Sequence, residues 1–81
     1  MPKVFEKDGF EFRIYPNDHD PAHVHIFKAG KEVKISLGIT GRPKLIRIFG
    51  MNDRNVKKGL IIVAENNGFL LRGWRHVHGE D

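Results

Sequence analysis

The stretch "HVHIFKAGKEVKIS", His23 to Ser36, decides the fold. Its apolar residues recur at every second position on both sides of Ala29-Gly30, the period of a strand that buries one face and leaves the other polar. A two-residue turn at Ala29-Gly30 closes the runs into an antiparallel hairpin and fixes its register. Ile26 then lies opposite Val33, Val24 opposite Ile35, His25 opposite Lys34 and His23 opposite Ser36. Val24, Ile26, Val33 and Ile35 share the packing face. His23, His25, Phe27, Glu32, Lys34 and Ser36 share the solvent face.

Upstream, "VFEKDGFEFRIY" reads as a second hairpin around Asp8-Gly9, because a type I′ turn needs positive φ at both central residues and Asp-Gly supplies it. This turn sets Phe5 against Phe12 and Lys7 against Phe10, with Phe5, Phe10, Phe12 and Ile14 as the core face. Glu6 and Glu11 oppose each other outside. That pairing costs roughly a few tenths of a kcal/mol unless Lys7, Arg13 or another cation lies close. Downstream, "GITGRP" is a connection and "KLIRIF" a fifth strand of less certain register, closed by Gly50-Met51-Asn52. From Asp53 the period changes: Val56, Leu60, Val63, Leu70, Trp74 and Val77 recur at helical spacings, with Asn52 or Asp53 as the N-cap. Gly59, Gly68 and Gly73 weaken that helix, each by about 1 kcal/mol relative to alanine, and "NNG" at Asn66 to Gly68 predicts a bend or break.

The elements add up to an α+β fold: an antiparallel β-meander of four to five strands packed against a C-terminal helix, bent or broken near Gly68. One domain over 1–81 is expected, with its sheet part at 1–49 and its helical part at 52–78. Ile39, Ile62 and Phe69 form an apolar surplus that can seal a homodimer.

Composition narrows the function classes. The chain of 81 residues lacks cysteine, so disulfides and thiolate metal sites are excluded, and any metal must sit on histidine, carboxylate or backbone oxygen. The opening "MPKVFEKDGF" carries charge where a signal peptide is apolar, and the longest apolar run, Leu60 to Ala64, is too short to span a bilayer. A soluble, cytoplasmic protein with no membrane partner is the expectation. Fourteen Lys and Arg against ten Asp and Glu give a net charge of +4, a modest excess that suits RNA, DNA or an acidic partner. The basic residues are spread along the chain, with no charged block.

Chemistry concentrates in "PNDHDPAHVH", Pro16 to His25, which holds three of the five histidines. Four readings are open. The histidines can hydrogen-bond locally at a strand start and do no chemistry. His23 and His25, about 7 Å apart on one face of a strand, can join one more residue of the loop, His19 or else Asp18 or Asp20, as a three-ligand metal site for zinc, nickel or iron, with an open position for water. They can instead act without metal: His19, His23 and His25 as acid–base groups on RNA, with Lys34 opposite His25 stabilising a charged phosphorane-like state, and Asn17, Asp18, Phe27 and Arg13 contacting the ligand. The fourth reading is a polar surface for a partner protein.

The matching residues are Met1-Pro2-Lys3-Val4, Asp8-Gly9, Asn17-Asp18-His19, Pro21, His23-Val24-His25 and, near the end, Trp74. In these positions the chain resembles the bacterial domain-of-unknown-function family 4160, over nearly its whole length. The resemblance implies no established activity. Members look like partners of a second small family encoded beside them, which implies a component of a toxin–antitoxin-like module acting on or binding RNA, with a small cognate protein as partner. A non-catalytic protein-binding module and a small His-ligated metal-binding protein are the alternatives. Elsewhere, Trp74 belongs to the helix stripe and reads as core or interface. Phe27 either packs under another element or offers a ring beside the histidines. His76 and His78 stand two apart, about 200° on a helix, so they cannot chelate together and read as a frayed tail. "GITGRPK" lacks the spacing of a phosphate-binding loop.

Overall fold

A computed structural model describes residues 3–38 and 42–79. Met1, Pro2 and Ile39, with the middle of "GITGRP", lie outside the described residues. The chain forms β1 (Lys3–Lys7), β2 (Phe10–Arg13), β3 (His23–Lys28), β4 (Lys31–Ser36), β5 (Lys44–Phe49), α1 (Asp53–Glu65) and α2 (Asn67–Val77). The five strands pair antiparallel in the order β1-β2-β3-β4-β5, and both helices follow, an α+β arrangement.

Local chemistry accounts for both hairpins. Asp8 and Gly9 take φ of 53° and 81°, and Ala29 and Gly30 take 50° and 77°, the doubly positive pattern of type I′ turns. The registers follow: Phe5 faces Phe12, Lys7 faces Phe10, His23 faces Ser36, His25 faces Lys34 and Ile26 faces Val33. Glu6 and Glu11 oppose each other, and the cations that relieve them are Lys3, 2.8 Å from Glu6 and 3.8 Å from Glu11, and Arg13, 3.3 Å from Glu11.

One face of the sheet is the core. Phe10, Phe12, Ile14, Val24, Ile26, Val33 and Ile35 are fully buried there, joined by Val56, Ile62, Val63, Leu70 and Trp74 from the helices. Ile62 therefore faces inward, contrary to its expected part in a homodimer surface; Phe69 stays exposed, its ring against Phe5 at 5.6 Å. Asn52 caps α1 by accepting from the Asn55 N–H at 2.8 Å. The helical part breaks at Asn66, whose backbone N–H bonds back to Ile62 and Val63 while its side chain donates to the Ile62 carbonyl. Strand β5 pairs on one side only, bulges at Ile46, and leaves Leu45, Ile46, Ile48 and Phe49 exposed. Among the described residues no helix is long and apolar enough to cross a membrane.

Candidate metal centre and the open sheet face

The two faces of β3 have different fates. Val24 and Ile26 enter the core, which turns His23 and His25 outward, yet neither ring is solvent-exposed. The loop between β2 and β3 folds over them, and its turn is set by the Asp18 N–H donating to the Tyr15 carbonyl at 3.0 Å. The side chains of His23 and His25 are only 9% and 12% exposed. The expectation that His25 lies open on the solvent face is corrected here: Tyr15 stands edge-on to its ring at 4.8 Å, and the loop carrying Asp18 roofs it.

Each imidazole is oriented by its Nδ1. His25 Nδ1 is 2.8 Å from Glu32 Oε2, the diagonal neighbour on the next strand, and His23 Nδ1–H donates to the Pro21 carbonyl at 2.8 Å. Both Nε2 atoms consequently converge on Asp18 Oδ2, at 2.8 Å from His25 and 3.2 Å from His23. His23 Nε2 is buried and has no hydrogen-bond partner. A carbonyl can only accept, so Nδ1 holds the proton of a neutral His23 and its Nε2 lone pair then faces Asp18 Oδ2, a contact made favourable either by a proton on Nε2 or by a metal ion between the two atoms.

Asp18, His23 and His25 form a group able to hold a metal ion, each offering one ligand atom and all within 4.8 Å of one another. His19, expected beside them, is exposed and outside this group; Asn17 and Asp20 are exposed as well. Lys34 sits opposite His25, half-buried. Arg13 lies on the other side of His25, its guanidinium 5.4 Å from the Phe27 ring centre, and the Glu11 carboxylate, with Tyr15 next, holds the guanidinium above its ordinary pKa.

Four contributors escaped the sequence reading. Glu32 and Tyr15 hold His25, while Trp74 and His78 hold the far side. Trp74 packs on His23 at 5.2 Å, and His78 stacks on Trp74 at 3.9 Å. His78 is no frayed tail: its Nδ1 meets the Trp74 carbonyl at 2.8 Å and its Nε2 the Asp18 carbonyl at 2.9 Å, tying the end of α2 to the loop over the site. The Trp74–His78 spacing of four, one helical turn, was the available signal.

No curated protein and no solved structure matches the chain. A protein-family model does, over residues 9–75, a span that takes in β2, the loop, the β3–β4 hairpin with the convergent histidines, β5 and most of the helical layer. The chain therefore belongs to the family described as Domain of unknown function (DUF4160).

Proposed function

We propose that this chain is a small metal-binding protein whose centre is Asp18, His23 and His25. The observation that carries the reading is the buried, unpartnered His23 Nε2 facing Asp18 Oδ2. Distances support it. Four ligands around zinc at about 2.05 Å stand about 3.3 Å apart, so the two edges to Asp18, 2.8 and 3.2 Å, would open by up to about half an ångström, and the edge between the histidines lies within 4.8 Å. The outer contacts support it too: a carboxylate on one Nδ1 and a backbone carbonyl on the other are the partners that fix a ligating tautomer. Two imidazoles and one carboxylate suit a first-row divalent ion such as zinc or nickel and leave a further position for water or a ligand.

The test is zinc uptake by the purified protein, read by calorimetry and by metal analysis after gel filtration. Wild type is expected to take up about one equivalent. Asp18→Asn keeps the shape of the side chain and removes the anionic oxygen; it and His23→Ala are expected to abolish uptake, with circular dichroism reporting whether the sheet is retained. Thermal stability adds an independent readout, because free zinc at a hundred times its dissociation constant stabilises the folded state by about 2.7 kcal/mol. Equal uptake by wild type and Asp18→Asn would sink the reading and leave a structural ion network of Asp18, His25 and Glu32.

A further inference from the structure

The face of the sheet turned away from the helices carries a pattern that neither the core nor the metal centre explains. Lys3 lies opposite Arg13, Arg13 opposite His25, His25 opposite Lys34, and Lys34 opposite Arg47. One basic or imidazole residue from each strand thus stands in a single row across the whole sheet. Directly opposed like charges are unfavourable, so such a row needs compensation. It is compensated at one end only. Glu6 and Glu11 pair with Lys3 and Arg13, and Glu32 binds His25. None of the ion pairs among the described residues involves Lys34, Arg47 or Lys44. These three cations occupy adjoining positions on β4 and β5, Lys44 being opposite Ser36 and Lys34 opposite Arg47. They form an uncompensated basic patch beside the histidines.

Aromatic rings flank that patch on both sides. Phe49, 39% exposed, lies 5.0 Å under the Arg47 guanidinium. On the β2–β3 side a shallow recess of about 330 Å³ is lined by Glu11, Arg13, Tyr15 and Phe27 with the Ala29-Gly30 turn. Arg13, part of its wall, has a buried Nε without a hydrogen-bond partner. Positive charge tracking across a sheet, with planar rings at intervals, is the combination that holds a flexible polyanion whose units carry both a phosphate and a flat π-face.

We infer that this open face binds single-stranded nucleic acid, with backbone phosphates on Lys34, Lys44 and Arg47 and bases against Phe49 and in the recess beside Phe27. A duplex fits less well, because its bases are stacked inside and unavailable to the rings. An acidic peptide would use the lysines and leave the rings without partners. The inference stands on the face itself and not on the metal centre.

The experiment is fluorescence anisotropy with a labelled single strand of about a dozen mixed nucleotides, its duplex form and polyglutamate, over a range of salt. The single strand is expected to bind most tightly. Lys34→Gln with Arg47→Gln is expected to weaken it at least tenfold and to reduce the slope of log K against log salt by about 1.4, two phosphate contacts at roughly 0.7 each. Phe27→Ala is expected to weaken it about tenfold with the slope unchanged, since stacking carries no counterion release. Lys57→Gln, exposed on α1 across the sheet from this face, should bind within about twofold of wild type, because it removes the same kind of charge from outside the row. Absence of strand binding at low salt, equal binding of duplex or polyglutamate, or indifference to the Lys34/Arg47 double change would each overturn the inference. Strand binding without zinc uptake would overturn only the metal reading, and zinc uptake without strand binding only this one.

Discussion

His25 holds a carboxylate on each ring nitrogen, Glu32 at Nδ1 and Asp18 at Nε2, both at 2.8 Å. These two contacts have different duties in the proposed centre. Asp18 would share the ion with His25, whereas Glu32 would only aim the ring and raise its basicity. Glu32→Gln keeps an acceptor for Nδ1–H and removes the charge, so it is expected to lower zinc affinity about 10- to 100-fold while retaining one-to-one uptake. A calorimetric titration separates the cases: loss of stoichiometry would make Glu32 a ligand, and unchanged affinity would remove it from the site. The alternation of "HVHIFK" was enough to place His23 and His25 together on one face. It could not show that the loop would bury them, nor that Asp18 and not His19 would meet them. Which side chain of a turn points inward depends on the Asp18–Tyr15 backbone bond and on His78, and neither leaves a periodic trace.

At the scale of elements, the hairpins were legible because turn chemistry and alternation agree. Asp8-Gly9 and Ala29-Gly30 fix φ locally, and the buried positions of β2, β3 and β4 follow from the register they set. The fifth strand was less legible for a physical reason. In "KLIRIF" Leu45 and Ile48 are three apart, and they pair with Ile35 and Val33 only because Ile46 is an extra residue, both remaining exposed on the edge strand. The helical glycines have a packing context that composition alone does not reveal. A Cβ on Gly59 would lie 3.7 Å from Ile26, and one on Gly73 would lie 3.6 Å from Ile14, both ordinary contacts. Space therefore does not forbid alanine, and helix propensity favours it. Gly59→Ala and Gly73→Ala are each expected to stabilise the protein by about 0.5–1 kcal/mol, a rise of about 2–8 °C in melting temperature for a domain of this size. A fall in melting temperature for either would mean that the helices need a closer approach to the sheet than these distances indicate.

Across the whole molecule, the helical layer and the outer face communicate at one corner. The sheet separates the core from the candidate site, and the connection around its end runs through Trp74 and His78, which reaches Asp18 across 60 residues of sequence. The two nitrogens of His78 face the Trp74 and Asp18 carbonyls, at 2.8 and 2.9 Å. Removing this side chain should uncouple the loop from the helix without touching the hairpins. His78→Ala loses two hydrogen bonds of about 1 kcal/mol each and a ring contact of about 0.5–1.5 kcal/mol, so a destabilisation of about 2.5–3.5 kcal/mol is expected. His78→Phe keeps the ring on Trp74 and should recover only the stacking share. Hydrogen exchange locates the effect: in both variants the Asp18 amide is expected to exchange faster, while the amides of β3 and β4, held by their own ladder, keep their protection relative to global unfolding. If the Asp18 amide keeps its wild-type protection in His78→Ala, the loop is held by the Tyr15 turn and the histidine rings alone, and the end of α2 has no part in shaping the site.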